Sequence, residues 1–302
     1  MAMAHYRLGH MDDFDVFMRR HVDAEIARLS LKANPSQEDQ YNLHRLKKQF
    51  TDMSSRYGGS LHIFGNSYDN GDYLSSFTAE IKKTGLEVGG YRTELFFKVG
   101  GTLTSLFTGE YFDYWSGRDM PYSGSSHLDD TIYAGLGARL FPFTQSDFNL
   151  GVQQNFEWGR ETENDTILFA NIYEDIGGDW EPFLTDWTFA SLYSQLNYST
   201  RENNFTYYGD LRLGRSFCLG SPGGLWVLTP FVGVSGDYGG KMIDKGSRWG
   251  LETGPGFVLR KWLAEDDPYK VPVASIDFSL QYRFGLSHER KDVLTGALYF
   301  SF

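Results

Sequence analysis

The chain has a single cysteine, Cys218, among its 302 residues. One thiol forms no disulfide within the chain and no CxxC metal site, and a buried or lipid-facing side chain accounts for it better than a reactive one. Long apolar runs are also missing. No stretch approaches 18 consecutive apolar residues, which excludes a transmembrane helix. Positive charge is scarce: 28 Lys and Arg stand against 39 Asp and Glu, a net −11 with a pI near 5.1. That balance argues against nucleic-acid binding and is compatible with a cationic or metal-carrying partner. Catalytic signatures are lacking: there is no GxSxG elbow, HExxH helix, P-loop or EF-hand loop. His62, His127 and His288 are isolated, and His127 with Asp129 and Asp130 reads as a solvated loop. The chain is expected to be no enzyme and to need no cofactor or metal.

What remains is rich in aromatics, 17%, with 34 glycines and a mean hydropathy of −0.40. A hydrophilic average with many aromatics suits a chain that hides its apolar half in alternation. From about Ser60 the period is two. Ile276, Phe278, Leu280, Tyr282 and Phe284 alternate with Ser275, Asp277, Ser279, Gln281 and Arg283. The last residues repeat the pattern: Leu294, Leu298, Phe300 and Phe302 share one face, Thr295, Tyr299 and Ser301 the other. A final strand ending in phenylalanine resembles the last strand of a bacterial outer-membrane barrel. The strands read as roughly nine to twelve residues, long enough to cross a bilayer when tilted. Trp158, Trp226, Tyr238, Trp249 and Trp262 stand near strand ends, as aromatic girdles would, with Phe302 a further membrane anchor. A soluble sandwich or propeller would instead show shorter strands whose apolar faces meet in a core. The expected fold is all-β: a transmembrane antiparallel outer-membrane barrel of about 16 strands, preceded by a short helical segment.

That segment covers residues 1–58, and the barrel 59–302. Phe14, Phe17, Met18, His21 and Val22 recur at helical spacing, and Asn34-Pro35 breaks the run. Ser36 offers an N-cap with Asp39 three residues on. Leu43, Leu46, Phe50, Met53 and Tyr57 then form a narrow apolar stripe, ended by Gly58-Gly59. Arg45, Lys47, Lys48 and Arg56 read as a solvated face, or as part of a helical arm in the periplasm. Met1–His10 holds no apolar signal core, so the sequence is expected to be a mature form or a C-terminal fragment of a longer protein.

Several ordered blocks carry a family resemblance. They are Trp187-Thr188 through Leu192-Tyr193, the run from Leu211 through Arg212 and Arg215 to Phe217, Leu228-Thr229-Pro230, Trp249-Gly250, Gly254-Pro255-Gly256, Leu259-Arg260 with Trp262, and the run from Asp277 to Phe284. In this order they resemble the C-terminal barrel of the bacteriophage adsorption protein A (NfrA) family, over about residues 180–302. That family is similar to the wider group of TPR-linked exopolysaccharide secretion porins, PelB-, PgaA- and BcsC-like, which join a periplasmic helical-repeat domain to a barrel usually of 16 strands. The resemblance implies a Gram-negative outer-membrane location. It also implies an exopolysaccharide as cargo, with periplasmic polysaccharide-modifying or synthase-complex proteins, outer-membrane lipid and the barrel assembly machinery as partners.

The face opposite the apolar one is the candidate lumen. It offers acids (Glu157, Asp210, Glu252, Asp277), bases (Arg139, Arg212, Arg260, Arg283), amides (Gln195, Asn197, Gln281) and tyrosines (Tyr133, Tyr193, Tyr208). Amides and charges hydrogen-bond sugar hydroxyls, aromatic rings stack on sugar faces, and a series of weak sites lets a polymer slide. The same residues could form a salt-bridge lattice that merely fills the barrel. The expected function is export of an exopolysaccharide, possibly a partly cationic deacetylated amino-sugar polymer given the −11 charge. The alternative is a nutrient porin or a surface phage receptor with no export role.

Overall fold

A computed structural model describes residues 11–32, 34–68, 73–105, 111–113, 118–120, 131–143, 146–159, 164–239, 249–264, 267–287 and 292–302. Two helices come first, α1 (Met11–Ser30) and α2 (Gln37–Ser54). Then follow β1 (Tyr57–Tyr68), β2 (Tyr73–Val88) and β3 (Tyr91–Ser105). The short strands β4 (Tyr111–Asp113) and β5 (Arg118–Met120) pair only with each other. The rest are β6 (Tyr133–Phe141), β7 (Asn149–Glu157), β8 (Asp165–Ile176), β9 (Asp186–Ser199), β10 (Asn204–Cys218), β11 (Trp226–Gly239), β12 (Trp249–Trp262), β13 (Ser275–Gly285) and β14 (Val293–Ser301).

All but β4 and β5 form one closed antiparallel barrel, each strand beside its sequence neighbour, with β3 paired to β6 and β14 to β1. Closure leaves no open sheet edge. The expected sixteen strands are therefore twelve among the described residues. Strands reach 16 residues in β2, and β4 and β5 add nothing to the barrel wall, so fewer crossings use up the chain.

At the seam, Ser60 to Tyr68 pair with Ser301 to Val293. Phe302 extends the ladder by exchanging two backbone hydrogen bonds with Gly59, at 3.0 and 3.1 Å. A Cβ on Gly59 would lie 2.5 Å from the Phe302 ring. This corrects the reading of Tyr57 as helix and of Gly58-Gly59 as its stop. The helix ends at Ser54, and the glycines stand inside β1, where the Phe302 ring lies against Gly59 and the Lys82 side chain against Gly58.

Alternation sorts the strands cleanly. Leu136, Leu213, Val232 and Phe278 point outward and are exposed, while Asn155, Gln153, Thr206 and Ser275 on the other phase are buried. An apolar outer surface that encircles the wall, around a polar interior, is the reverse of a soluble protein and is what a bilayer requires. Trp158 and Trp249 stand on one rim of this surface, Trp226 and Phe302 on the other, all exposed. Trp262 does not join them. It is buried inside the wall with Trp187 and Val227, because position 262 shares the inward phase of Arg260.

Antiparallel alternation places the connections after β2, β6, β8, β10 and β12 on the rim where β1 begins and β14 ends. The β2–β3 connection is Gly89-Gly90 with φ of 61° and 85°, a tight turn that needs positive φ at both positions. Tight turns mark the periplasmic side of such barrels, and α1 and α2 lie on this rim.

Candidate functional site

The lumen has two walls of different chemistry. One is built by β2, β3 and β6 to β9. Its centre is Arg139, which donates from Nη2 to Glu80 Oε1 at 2.6 Å and from Nε to Glu94 Oε2 at 2.8 Å. Lys82 lies 3.8 Å from Glu94. Beside this cluster, two ladders of amides run along strand faces at two-residue steps. Gln153 donates to Asn155, Tyr193 donates to Gln195, and Gln195 donates to Asn197 at 2.8 Å. Phe96 and Phe169 also face inward, 6.0 Å apart. They lie over the inward glycines Gly137 and Gly151, where a Cβ would come within 2.2 Å of either ring. A small cavity remains between these groups, lined by Glu80, Phe96, Arg139, Phe169 and Asn171 among others.

The other wall, β10 to β13, is a lattice of ions. Arg212 donates to Asp210 at 2.8 Å. Arg283 reaches Glu252 at 3.6 Å and, across two intervening strands, Asp210 at 3.9 Å. Arg260 grips both oxygens of Asp277, at 2.8 and 2.6 Å. Gln281 donates to Gly254 O and accepts from Arg283 Nε. Arg212 stacks over Phe231 and Arg260 over Trp262. Gly233 leaves the space for the Gln281 amide. Buried pairs of this kind add little net stability, but removing one partner strands the other at a cost of about 3–5 kcal/mol.

Most of the residues singled out in the sequence thus line one lumen. Arg139, Tyr193, Gln195 and Asn197 belong to the first wall, and Arg212, Arg260, Arg283, Asp210, Glu252, Asp277, Tyr208 and Gln281 to the second. Tyr193 and Tyr208 approach each other at the junction, with centroids 6.0 Å apart. Tyr133 is fully buried against Gly100 rather than presented to a passing chain. Glu157 is exposed at the end of β7, on the rim opposite the helices. The carboxylates Asp210, Glu252 and Asp277 each face an arginine, so they give no unbalanced negative surface for a cationic polymer. Glu80, Glu94, Lys98, Phe96 and Phe169 escaped the sequence reading. Their signal is the inward phase of Glu94, Phe96 and Lys98 on β3, in a stretch with no recognisable block. His127, Asp129, Asp130 and His288 lie outside the described residues.

The periplasmic rim is occupied by the helix pair. Ser36 and Asp39 form the capping box of α2. Asp39 also receives Arg28 and Lys32 at 3.0 and 2.7 Å, joining the two helices and holding its carboxyl well below the usual range. Arg19 donates to Asp267 at 2.7 Å and stacks between Phe50 and Tyr269. Thr51 Oγ1 accepts the Val271 N–H, and Lys47 donates to Pro268 O. His44, buried, meets Trp180 and Phe183 edge-on. Burial, with Lys48 next, pushes its imidazole below the ordinary value. Lys48 pairs with Asp179 at 3.0 Å, and the neighbouring Gly178 carbonyl accepts from Arg260 in the lumen. The basic face of α2 is therefore partly a docking face, and its contacts lead by one short loop to the ionic wall.

A closed barrel with an apolar belt, aromatic rims and a polar lumen is an outer-membrane β-barrel. The model of the family described as bacteriophage N adsorption protein A C-term (NfrA_C) matches residues 124–295, and the chain belongs to that family. Among solved structures, the β domain of the Bordetella autotransporter BrkA is 12% identical, over 82% of this chain and 99% of that one, with a TM-score of 0.40. An outer-membrane channel from Pseudomonas putida F1 is 12% identical, over 82% and 95%, with a TM-score of 0.42. Likeness at that level carries no argument about function. No curated protein matches the sequence significantly.

Proposed function

We propose that the barrel is the outer-membrane conduit of an exopolysaccharide export system, held shut at rest by its own lumen side chains and by the helix pair at its periplasmic mouth. The observation that carries this reading is the inward amide ladder, Gln153, Gln195 and Asn197, beside inward aromatic rings. Buried amides and aromatic faces are the chemistry of hydroxyl and sugar-ring recognition, and a passive wall would not need them. The reading places the protein in the wider group of helical-repeat-linked secretion porins. Its partners would be the polymer, outer-membrane lipid around the apolar belt, the barrel assembly machinery, and periplasmic synthase-complex or polysaccharide-modifying proteins that meet α1 and α2. The role is passage, with no catalysis. The neutralised carboxylates favour an uncharged polymer over the cationic one suggested by the −11 charge. The test is polysaccharide secretion in cells lacking the full-length protein, with and without complementation. Normal secretion without any copy would remove the export role.

A second reading has its own support. The family's description is of phage adsorption, and a barrel laced shut suits a surface receptor that moves nothing. Under that reading deletion would abolish phage adsorption and leave polysaccharide secretion at the wild-type level.

A further inference from the structure

We propose that the β8–β9 loop, residues 177–185, is a gate folded into the periplasmic end of the lumen and held there by α2, a proposal that rests on the reading of the barrel as a conduit. The loop bends in at its first residue. Gly177 has a φ of 70°, and a Cβ there would lie 2.2 Å from the Thr188 carbonyl oxygen, so only glycine serves at this position. Gly177 O then accepts from Trp187 Nε1 at 2.8 Å, and Gly178 O accepts from Arg260. Both donors point into the barrel. Gly177, Gly178 and Asp179 therefore line one small space together with the inward side chains of Trp187, Thr229 and Arg260. Trp180 fastens the next part of the loop, donating from Nε1 to Gly224 O on the β10–β11 turn at 3.3 Å.

The same loop carries contacts of α2. Asp179 pairs with Lys48 at 3.0 Å, and Lys48 also lies 3.4 Å from Asp52 on its own helix. His44 meets Trp180 and Phe183 with ring centroids 5.7 and 6.0 Å away, and Tyr41 meets Phe183 at 6.3 Å. One side of the loop is thus bonded to lumen groups and the other to the helix. Contacts that α2 makes with the inserted loop favour that position over a withdrawn one, which is what couples the two. The helix pair also rests on the β12–β13 loop through Arg19, Lys47 and Thr51. Drawing the pair off the rim from the periplasmic side would release the gate.

The test reads access to the lumen behind the loop in the full chain, folded in detergent micelles, with Cys218→Ser removing the native thiol. Thr229→Cys places a thiol in the space that the loop lines, and Thr206→Cys places one at the opposite end of the lumen, near the start of β10. Each is labelled with a small uncharged methanethiosulfonate. Lys48→Glu sets a carboxylate against Asp179 and Asp52. It should speed labelling at position 229 at least fivefold and leave position 206 within twofold. Adding Asp179→Lys restores a pair of opposite charges and should return the rate to within twofold of the parent. Should Lys48→Glu not give the folded, heat-modifiable form, deletion of residues 179–184 serves instead, with the same fivefold gain at position 229 and none at position 206. An unchanged rate at position 229, an equal gain at both positions, or no rescue by Asp179→Lys would overturn the gate. A strain lacking the protein that secretes normally, with labelling as expected, would overturn export and leave the gate standing. Lost secretion in that strain, with labelling unchanged by the variants, would overturn the gate and leave export.

Discussion

The two lumen walls solve one problem by different means. Each must fill the space inside a closed sheet with groups that would otherwise be buried and unsatisfied. The wall of β10 to β13 does so with guanidinium–carboxylate pairs that satisfy one another across strands. The wall of β2, β3 and β6 to β9 uses one ionic cluster, then neutral amides and phenyl rings, and among the described residues it leaves a small cavity and three amide atoms, on Asn149, Asn155 and Asn171, unpartnered. The first wall is held mainly by ion pairs and the second mainly by neutral hydrogen bonds, and both leave buried polar atoms unpartnered, Asp210 Oδ1 in the first among them. If the barrel passes a chain, the ionic wall is the fixed side and the amide wall the side that makes contact.

The largest expected effect falls on the ionic wall. A Cβ on Gly254 would lie 1.9 Å from the Tyr282 carbonyl oxygen, a backbone atom that no rotamer change can move. Gly254→Val should abolish the folded, heat-modifiable form on unheated gels. A normal yield of folded barrel would mean that the close β12–β13 approach does not hold that wall together.

Next comes a contrast between the arginines. Arg139→Met leaves Glu80 and Glu94 without their hydrogen-bonded cation, with Lys82, 3.8 Å from Glu94, and Lys98, near Glu80, in partial compensation. Its cost should be about 3–5 kcal/mol in urea unfolding from lipid vesicles. Arg212→Met should cost less, since Arg283 still lies 3.9 Å from Asp210. Equal losses would erase the distinction between a lattice with shared partners and a single cluster.

A smaller effect links the ionic wall to the helices. His44 docks in its neutral form, with its folded pKa below the ordinary value of 6.5 and Lys47, Lys48 and Asp179 around it. The undocked imidazole binds its proton at higher pH than the docked one. Docking is therefore strongest above about pH 6.5 and weakens as the pH falls below it. Amide exchange in α2, corrected for its intrinsic pH dependence, should be faster at pH 5.5 than at pH 7.5. His44→Phe should flatten the difference. Exchange that stays equally slow at both pH values in wild type would show that His44 does not control docking.

The sequence was most legible where the physics is periodic. Alternation at 275–284 and 294–302 assigned inward and outward faces residue by residue, because a two-residue repeat depends on nothing distant. The Ser36–Asp39 cap was equally visible, since both partners lie within one turn. Strand number was not, because it depends on how long each strand runs and on which residues stay out of the wall. Gly58-Gly59 looked like a helix stop until Phe302, far along the chain, explained the glycines. Trp262 resembled a girdle residue because composition at a strand end does not reveal phase. The amide-wall cavity was invisible for a related reason. Glu80, Phe96, Arg139 and Asn171 come from four strands, and only the closed barrel brings them together.

The smallest expected effect is also the sharpest test of where the lumen begins. Glu157 has the inward phase of β7 but stands exposed at the outer rim, where its backbone N–H donates to Asn164 Oδ1. Glu252, one of the residues grouped with it on sequence grounds, lies 3.6 Å from Arg283 inside the ionic wall. Glu157→Gln removes an exposed charge and should change unfolding stability by no more than about 0.5 kcal/mol. It should leave secretion in complemented cells at the wild-type level. Glu252→Gln removes the negative partner from a buried guanidinium and should be measurably destabilising in the same assay. If the two variants behaved alike, with Glu157→Gln as damaging as Glu252→Gln, the outer rim would be part of the working surface. The division between an ionic wall and an amide wall would then describe packing and not passage.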